Sequence, residues 1–122
     1  MRVIAATERG LRRWADFGAR SGRAEFWNFA LGVALVAALL IGLDVAIFGR
    51  DYAFGLADLW ALAMLAPMVS ALVRRLHDID RGGWWALLLL LPVAGALILL
   101  VWAAKPGDEG ANRFGPPPRA LV

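Results

Sequence analysis

The side chains most capable of chemistry lie in a polar run at residues 74–85, between two apolar stretches. This run contains the sole histidine, His77, directly before Asp78, and such a pair could act as an acid and a base or bind a metal ion. One histidine without any cysteine is a poor zinc site, and no nucleophile or phosphate-binding glycine loop accompanies it. The sequence therefore predicts no catalytic residue, no metal ligand and no cofactor. An interfacial enzyme built on His77 and Asp78 is the least favoured alternative.

Two other carboxylates, Asp44 and Asp58, lie inside stretches that are otherwise apolar. They flank a short loop around Arg50, so two antiparallel helices would hold them at similar depth. Two close carboxylates raise each other's proton affinity, which is a condition for a proton-coupled pore or a small oligomeric transporter. The interpretation we favour is simpler: both reach water near the membrane surface, or one pairs with Arg50.

Three long apolar segments must position these residues. Residues 26–48 and 54–73 contain one charged side chain each, and residues 84–104 contain none. Each segment has close to the roughly 20 residues that a helix needs to cross a bilayer. Because 61% of the 122 residues are apolar and only 19% are charged, the sequence predicts an all-α integral membrane protein with a single membrane domain and three transmembrane helices.

The segment before the first crossing is basic and contains widely spaced apolar residues. Leu11, Trp14 and Phe17 recur at helical spacing within residues 7–17. This pattern predicts a short amphipathic helix lying in the headgroup region, where aromatic rings are favoured. A disordered basic leader is the alternative.

The third apolar segment contains two helix breakers near its middle, Pro92 and Gly95. A kinked single crossing is the prediction, with a re-entrant segment as the alternative, because each half would span only about 12 Å. The polar tail at residues 105–122 is rich in proline and glycine, which is typical of turns and extended chain.

Arginines are distributed unevenly around these segments. Six precede the first segment and three lie between the second and third, whereas the first loop has only Arg50. The N-terminus and the 74–85 loop are therefore predicted to be cytoplasmic. Arg74 and Arg75 are interpreted as helix-end cations that reach lipid phosphate. The net charge of +3 then indicates contact with anionic lipid headgroups, not with nucleic acid.

The first apolar segment carries a small residue at every fourth position. Small side chains at this spacing allow a second helix to approach closely in lipid, although alanine is abundant here and chance could produce the pattern. The predicted partner is the third segment of this chain or a second copy. This small-residue stripe consists of Ala30, Ala34, Ala38, Gly42 and Ala46.

Three groups of residues carry a family resemblance. They are Arg20, Arg23, Glu25, Phe26 and Trp27; Arg74 to Asp78, Arg81 and Gly83 to Trp85; and Pro92, Gly95, Gly107, Gly110 and Asn112 to Pro116. Over about residues 17–118, the chain resembles a family of small bacterial inner-membrane proteins known as domain of unknown function 805. Two positions depart from the family's usual pattern: Ala19 and Asp80 stand where glycine is expected.

The resemblance implies an inner-membrane location and a compact helical fold, but no activity. With the N-terminus inside, the leader and the 74–85 loop share one face of the membrane. We therefore expect a non-enzymatic accessory protein that associates with itself or with a larger membrane complex. We also expect one polar cluster at the cytoplasmic base of the helices, formed by Arg20, Arg23, Glu25, Arg74, Arg75, His77, Asp78 and Arg81.

Overall fold

The computed structural model describes residues 2–118, and all regular elements within that range are helical, as the sequence predicts. One element is a 3₁₀ helix and the others are α-helices. In chain order they are α1 (Arg2–Arg12), α2 (Arg23–Phe48), α3 (Leu56–Ala63), α4 (Leu65–Asp78), the 3₁₀ helix (Gly83–Leu90) and α5 (Ala94–Ala104).

The first helix packs antiparallel against the first half of α2. Gly10 of α1 lies against the ring of Phe29, and Thr7 lies against Gly32, so that a side chain at either glycine would collide with its neighbour. Contact between α1 and α2 therefore uses these two glycines, and not the small-residue stripe, on which four of the five positions are exposed.

The leader helix differs from the prediction for residues 7–17, because α1 begins at Arg2 and ends at Arg12. The carboxylate of Asp16 accepts hydrogen bonds from the Arg13 guanidinium at 2.9 Å and from the Gly18 amide at 3.1 Å, which closes a turn after the helix. Burial raises the pKa of Asp16, but these hydrogen bonds outweigh it and hold the pKa below its ordinary value. Trp14 lies in this turn, off the helix.

One helix is long and apolar enough to cross a bilayer, and a second segment has that length if its two bent halves form one span. The 26 residues of α2 extend about 39 Å. The second segment consists of α3 and α4, which meet at Met64 with a bend of 42°. Pro67 explains this break, since its ring would clash with the carbonyl of Ala63 in a continuous helix.

The third apolar segment forms a hairpin and not the kinked single crossing predicted for residues 84–104. Gly83, at its start, packs against Val73 and His77 near the end of α4. At its end, the Ala103 carbonyl accepts a hydrogen bond of 2.9 Å from Arg75 Nε, on the same part of α4. Both ends therefore lie at one end of the molecule, which corresponds to the re-entrant alternative.

The hairpin turns at residues 91–93, between the 3₁₀ helix and α5. Val93 adopts φ 63°, a left-handed conformation that is strained for a β-branched residue. Gly95 lies against the Leu88 carbonyl, where any side chain would collide. Each arm is about 16 Å long, from 8 residues of 3₁₀ helix and 11 of α-helix, so the hairpin reaches about halfway through a hydrocarbon core of about 30 Å.

The buried core lies at the end of the molecule where the hairpin starts and finishes. Elsewhere the surface is strongly apolar, as at Leu90 with 77% of its area exposed and Leu39 with 65%. Such large apolar surfaces mark contact with lipid or with another protein. The core consists of Ala6, Phe26, Phe29, Ala71, Leu72, Leu76, Leu99 and Ala103.

The hairpin leads to a prediction about topology. Fluorescent-protein and alkaline-phosphatase fusions at the N-terminus and at the C-terminus should report the same side of the membrane, and that side should be the cytoplasm. A reporter inserted after Arg50, in the loop between α2 and α3, is the control and should report the opposite side. A C-terminal phosphatase that is active outside the cytoplasm would contradict the hairpin.

Candidate functional site: a buried polar cluster

The last two turns of α4 are buried on every side, although they are rich in polar residues. Every residue from 70 to 78 is buried. The surrounding elements are the turn after α1, the end of α5 and the tail that follows α5. An α4 end enclosed in this way must satisfy its polar groups with protein partners, because water cannot reach them.

Asp78 lies at the centre of this cluster between two arginines. Its Oδ1 atom is 2.9 Å from the Arg20 guanidinium, and its Oδ2 atom is 2.7 Å from that of Arg75. Both arginine side chains are fully buried, and Asp78 has 5% of its side chain exposed. Gly107 packs directly on the Asp78 carboxylate, where no larger residue would fit. The ion triad therefore connects the leader, α4 and the tail.

Arg75 also binds the C-terminal end of α5. Its guanidinium donates to the Ala103 carbonyl at 2.9 Å, to the Ser21 carbonyl at 3.3 Å and to the Lys105 carbonyl. The last carbonyls of a helix have no partner within it and carry partial negative charge, so a cation here stabilises α5. Arg75 thereby holds the returning arm of the hairpin.

Arg74 binds the turn that joins α1 to α2. It donates to the Arg13 carbonyl at 2.8 Å, to the Asp16 carbonyl at 2.9 Å and to Ser21 Oγ at 3.0 Å. The Ser21 amide in turn donates to the Arg74 carbonyl at 3.0 Å. One side chain thus fixes the path of the leader over about nine residues.

Arg20 performs the same role for the tail. In addition to Asp78, it donates to the carbonyls of Asp108 at 2.7 Å, Gly110 at 2.8 Å and Gly115 at 3.0 Å. A guanidinium has five N–H donors in a fixed plane, which suits several carbonyls that converge on one site.

His77 is held between the leader and the tail. Its Nδ1 atom is 3.0 Å from the Ala19 carbonyl, which can only accept, so Nδ1 carries the proton. The ring stacks on Phe114 at 3.9 Å with an angle of 3° between the planes. The Asn112 amide donates to the His77 carbonyl at 2.9 Å. These contacts engage the Nδ1 atom, one face of the ring and the backbone carbonyl of His77.

The remaining predicted members lie around this centre. Glu25 pairs with Arg13 at 3.2 Å, on the α1 side. Arg81 stacks over the Trp102 ring at 4.0 Å. Arg23 is exposed and donates to the Ala104 carbonyl at 3.5 Å. The structure therefore brings all eight predicted residues to one end of the molecule.

One interpretation of the site residues made from the sequence is wrong. Arg74 and Arg75 are 1% and 0% exposed, so they do not extend to lipid phosphate. They bind backbone carbonyls of other segments instead.

Asp80, which stands where glycine is expected, adopts φ 59°, a conformation that favours glycine and tolerates aspartate. Its exposed carboxylate pairs with Arg113 at 3.1 Å.

Several contributors to the cluster were not predicted. The tail motif was noticed in the sequence, but its partners were not, because most of them are backbone carbonyls. Most of these bonds join residues that are close in space but distant in sequence, as from Arg74 to Arg13 and from Arg20 to Asp108. The missed residues are Arg13, Asp16, Ser21, Ser70, Gly107, Asp108, Asn112 and Phe114.

The two intramembrane carboxylates lie at the opposite end, at the N-terminus of α3. Asp44 is fully buried and accepts hydrogen bonds from the amides of Leu56 at 2.8 Å and Ala57 at 2.9 Å. Asp58 accepts from the Gly55 amide at 2.8 Å. Both carboxylates thus satisfy N–H groups that have no partner within α3. Neither forms an ion pair with Arg50 in the part of the chain that the structure describes.

The fold and the cluster define a small helical protein with one membrane-length helix, a bent second segment and a half-length hairpin. Its sequence matches the family model "Protein of unknown function (DUF805)" over residues 14–116, and the chain belongs to this family. The match begins after α1.

Two relatives of the chain come from Escherichia coli (strain K12). The chain is 38% identical over 109 residues to "Inner membrane protein YhaI", which covers 89% of this chain and 91% of the relative. It is 38% identical over 112 residues to "Inner membrane protein YhaH", covering 89% and 92%. No solved structure matches the chain.

The ion triad predicts a large loss of stability for Asp78→Asn. Removing this charge leaves two buried arginines without their shared carboxylate, which we expect to lower the free energy of unfolding by about 3–5 kcal/mol. The matched control is Asp80→Asn, which removes an exposed pair and should cost roughly 0–1 kcal/mol. Denaturation in detergent micelles, followed by tryptophan fluorescence, measures both. Equal losses would show that the triad is not central.

A second prediction concerns Asp44. Asp44→Ala removes two hydrogen bonds to the start of α3 and should lower the free energy of unfolding by about 1–2 kcal/mol. The control is Asp51→Ala, an exposed loop residue that should change stability by less than about 0.5 kcal/mol. The same denaturation measurement applies. A more stable Asp44→Ala variant would indicate that the carboxylate is kept for another purpose, such as binding a proton.

Proposed function

We propose that this chain is a non-enzymatic protein of the bacterial inner membrane with both termini in the cytoplasm, and that it associates with a second copy or with a larger membrane complex. Three features support the location: the membrane length of α2, the bent pair α3 and α4, and the printed names of the E. coli relatives. The excess of arginines at the cluster end supports the orientation.

The buried polar groups form hydrogen bonds within the protein, and this supports a non-enzymatic role. Throughout residues 2–118, every buried side-chain nitrogen and oxygen has a hydrogen-bond partner. The His77 Nδ1 atom binds the leader, and the Asp78 carboxylate pairs with Arg75 and Arg20. Catalytic groups are usually left poised toward a substrate, whereas these groups hold three segments together.

The hydrogen bonds of the Asp44 and Asp58 carboxylates also support a structural role for these residues. Their oxygens accept backbone N–H groups at the start of α3. Their geometry is that of helix caps, so it lends no support to the alternative of a proton-coupled pore.

The observation that carries the proposal is the outward face of α2. On the small-residue stripe, Ala34, Ala38, Gly42 and Ala46 are exposed, and a side chain built at Gly42 would meet nothing within 4 Å. The elements of the chain's own fold leave this face open. A row of small residues facing lipid allows the backbone of a second helix to approach closely, and this drives helix association where the hydrophobic effect is absent.

Enlarging one residue of the stripe should weaken the association. Ala38→Leu places a bulky side chain between the two helices and should shift the purified protein toward the monomer. Ala66→Leu makes the same change at an exposed position of α4 off the stripe and should leave the assembly intact. Light scattering on detergent-solubilised protein and cross-linking in native membranes measure the mass. A wild-type protein recovered only as a monomer, with no partner, would refute the proposal.

A further inference from the structure

An apolar groove runs between α2, α4 and α5 on the side of the molecule. Its volume is about 380 Å³, which lies within the roughly 300–1,000 Å³ of typical ligand sites. Every side chain that lines it is apolar, and it opens sideways, toward the surface that faces lipid. Its walls include Phe26 and Val33 of α2, Met68 and Leu72 of α4, and Leu99 and Ala103 of α5.

The groove begins at the cluster end of the molecule, beside two cations. Phe26 lies one helical turn after Arg23, and Ala103 lies two residues before Lys105. Arg23 and Lys105 are both exposed, and within residues 2–118 neither has a carboxylate within 4.0 Å. The contact between Arg23 and the Ala104 carbonyl places the Arg23 guanidinium beside the residue that precedes Lys105.

The depth of the groove matches that of one leaflet. Its far wall includes Leu89 and Ala96, on either side of the hairpin turn, which lies about 16 Å from the cluster end. An acyl chain that enters beside Arg23 would therefore run along the groove to the tip of the hairpin. The phosphate of the same molecule would stay at the entrance, at headgroup level.

We propose that this groove binds one acyl chain of a phospholipid with an anionic headgroup, whose phosphate lies between Arg23 and Lys105. The charge at the entrance selects for the lipid, because two unpaired cations beside an apolar groove complement an amphiphile with a negative head. A helix from a second copy would fill the groove but leave both cations unpaired. The inference depends on the proposed membrane location but not on the proposed self-association.

Native mass spectrometry on the purified chain tests the proposal. The protein is reconstituted in nanodiscs of equal parts phosphatidylglycerol and phosphatidylcholine with the same acyl chains, and the lipids retained after release are counted. We expect a preference for phosphatidylglycerol of about 30-fold, from two surface cations. Ala38→Leu should keep this preference even if it abolishes self-association, so that failure of one proposal is distinguished from failure of the other.

Variants at the entrance test the contribution of the headgroup charge, and variants in the groove test that of the acyl chain. Arg23→Gln with Lys105→Gln should retain lipid without preference, whereas Arg12→Gln with Arg50→Gln removes as much charge elsewhere and should keep the preference. Lys105→Gln alone, which leaves the contacts of Arg23 in place, should lower it several-fold. Ala61→Phe fills the groove and should lose retained lipid, whereas Ala66→Phe, outside the groove, should not.

Three results would overturn the inference. One is equal retention of both lipids by the wild-type protein. Another is an unchanged preference in the Arg23 and Lys105 variants, which would assign retention to general contact with lipid. The third is lipid retention that survives Ala61→Phe, or a groove found filled by a second copy in cross-linking from position 61.

Discussion

The fold depends on burying three guanidinium groups where water cannot reach them. A charged group moved out of water costs several kcal/mol unless it finds an opposite charge and a partner for each donor. A single carboxylate, Asp78, pairs with Arg20 and Arg75, and it is not enough for the donors of Arg20, Arg74 and Arg75. The backbone supplies the rest, as carbonyl groups of the leader, of the end of α5 and of the tail. These segments must therefore fold together, since removing any of them leaves buried donors unpaired.

Polar groups at the other end of the molecule need partners as well, but there the groups are N–H donors and their partners are carboxylates. The start of α3 presents N–H groups that have no partner within the helix, and the surrounding surface is apolar. Asp44 reaches them from α2, and Asp58 reaches back to Gly55 from within α3. Cationic side chains thus bind the C-terminal end of a helix at one end of the molecule, and anionic side chains bind an N-terminal end at the other. Both arrangements complement the helix dipole.

The sequence was sufficient to predict which residues are polar and which faces are apolar, but not the direction of the third segment. A hydropathy pattern measures the length of an apolar run, and residues 84–104 are long enough to cross. The turn at Val93 depends on the contact between Gly95 and the Leu88 carbonyl, and the return of the chain depends on Arg75. Neither contact has a pattern in the sequence.

The roles of Arg74 and Arg75 illustrate the same difficulty. Arginines at the end of an apolar helix are normally explained by lipid phosphate, and that explanation needs no other segment. Here the partners are carbonyl groups, which every residue possesses, so composition cannot identify them. His77 and Asp78 were harder to explain from the sequence because most of their partners are distant along the chain. Asp78 pairs with Arg75 three residues away, but the other partners, Ala19, Phe114 and Arg20, are all more than thirty residues away.

The buried arginines and Asp78 direct their polar atoms into the protein, so the surface is what the chain presents to lipid or to a partner. What remains exposed is an apolar belt, the small-residue face of α2 and a groove with two cations at its entrance. The hairpin, the end of α4 and α1 all lie in the half of the molecule that contains the cluster, whereas α3 and the second half of α2 make up the other half. The contacts with lipid or with a partner should therefore differ between the two leaflets. The arginines set this asymmetry, because they fix where the hairpin returns and thus which half of the membrane contains the groove.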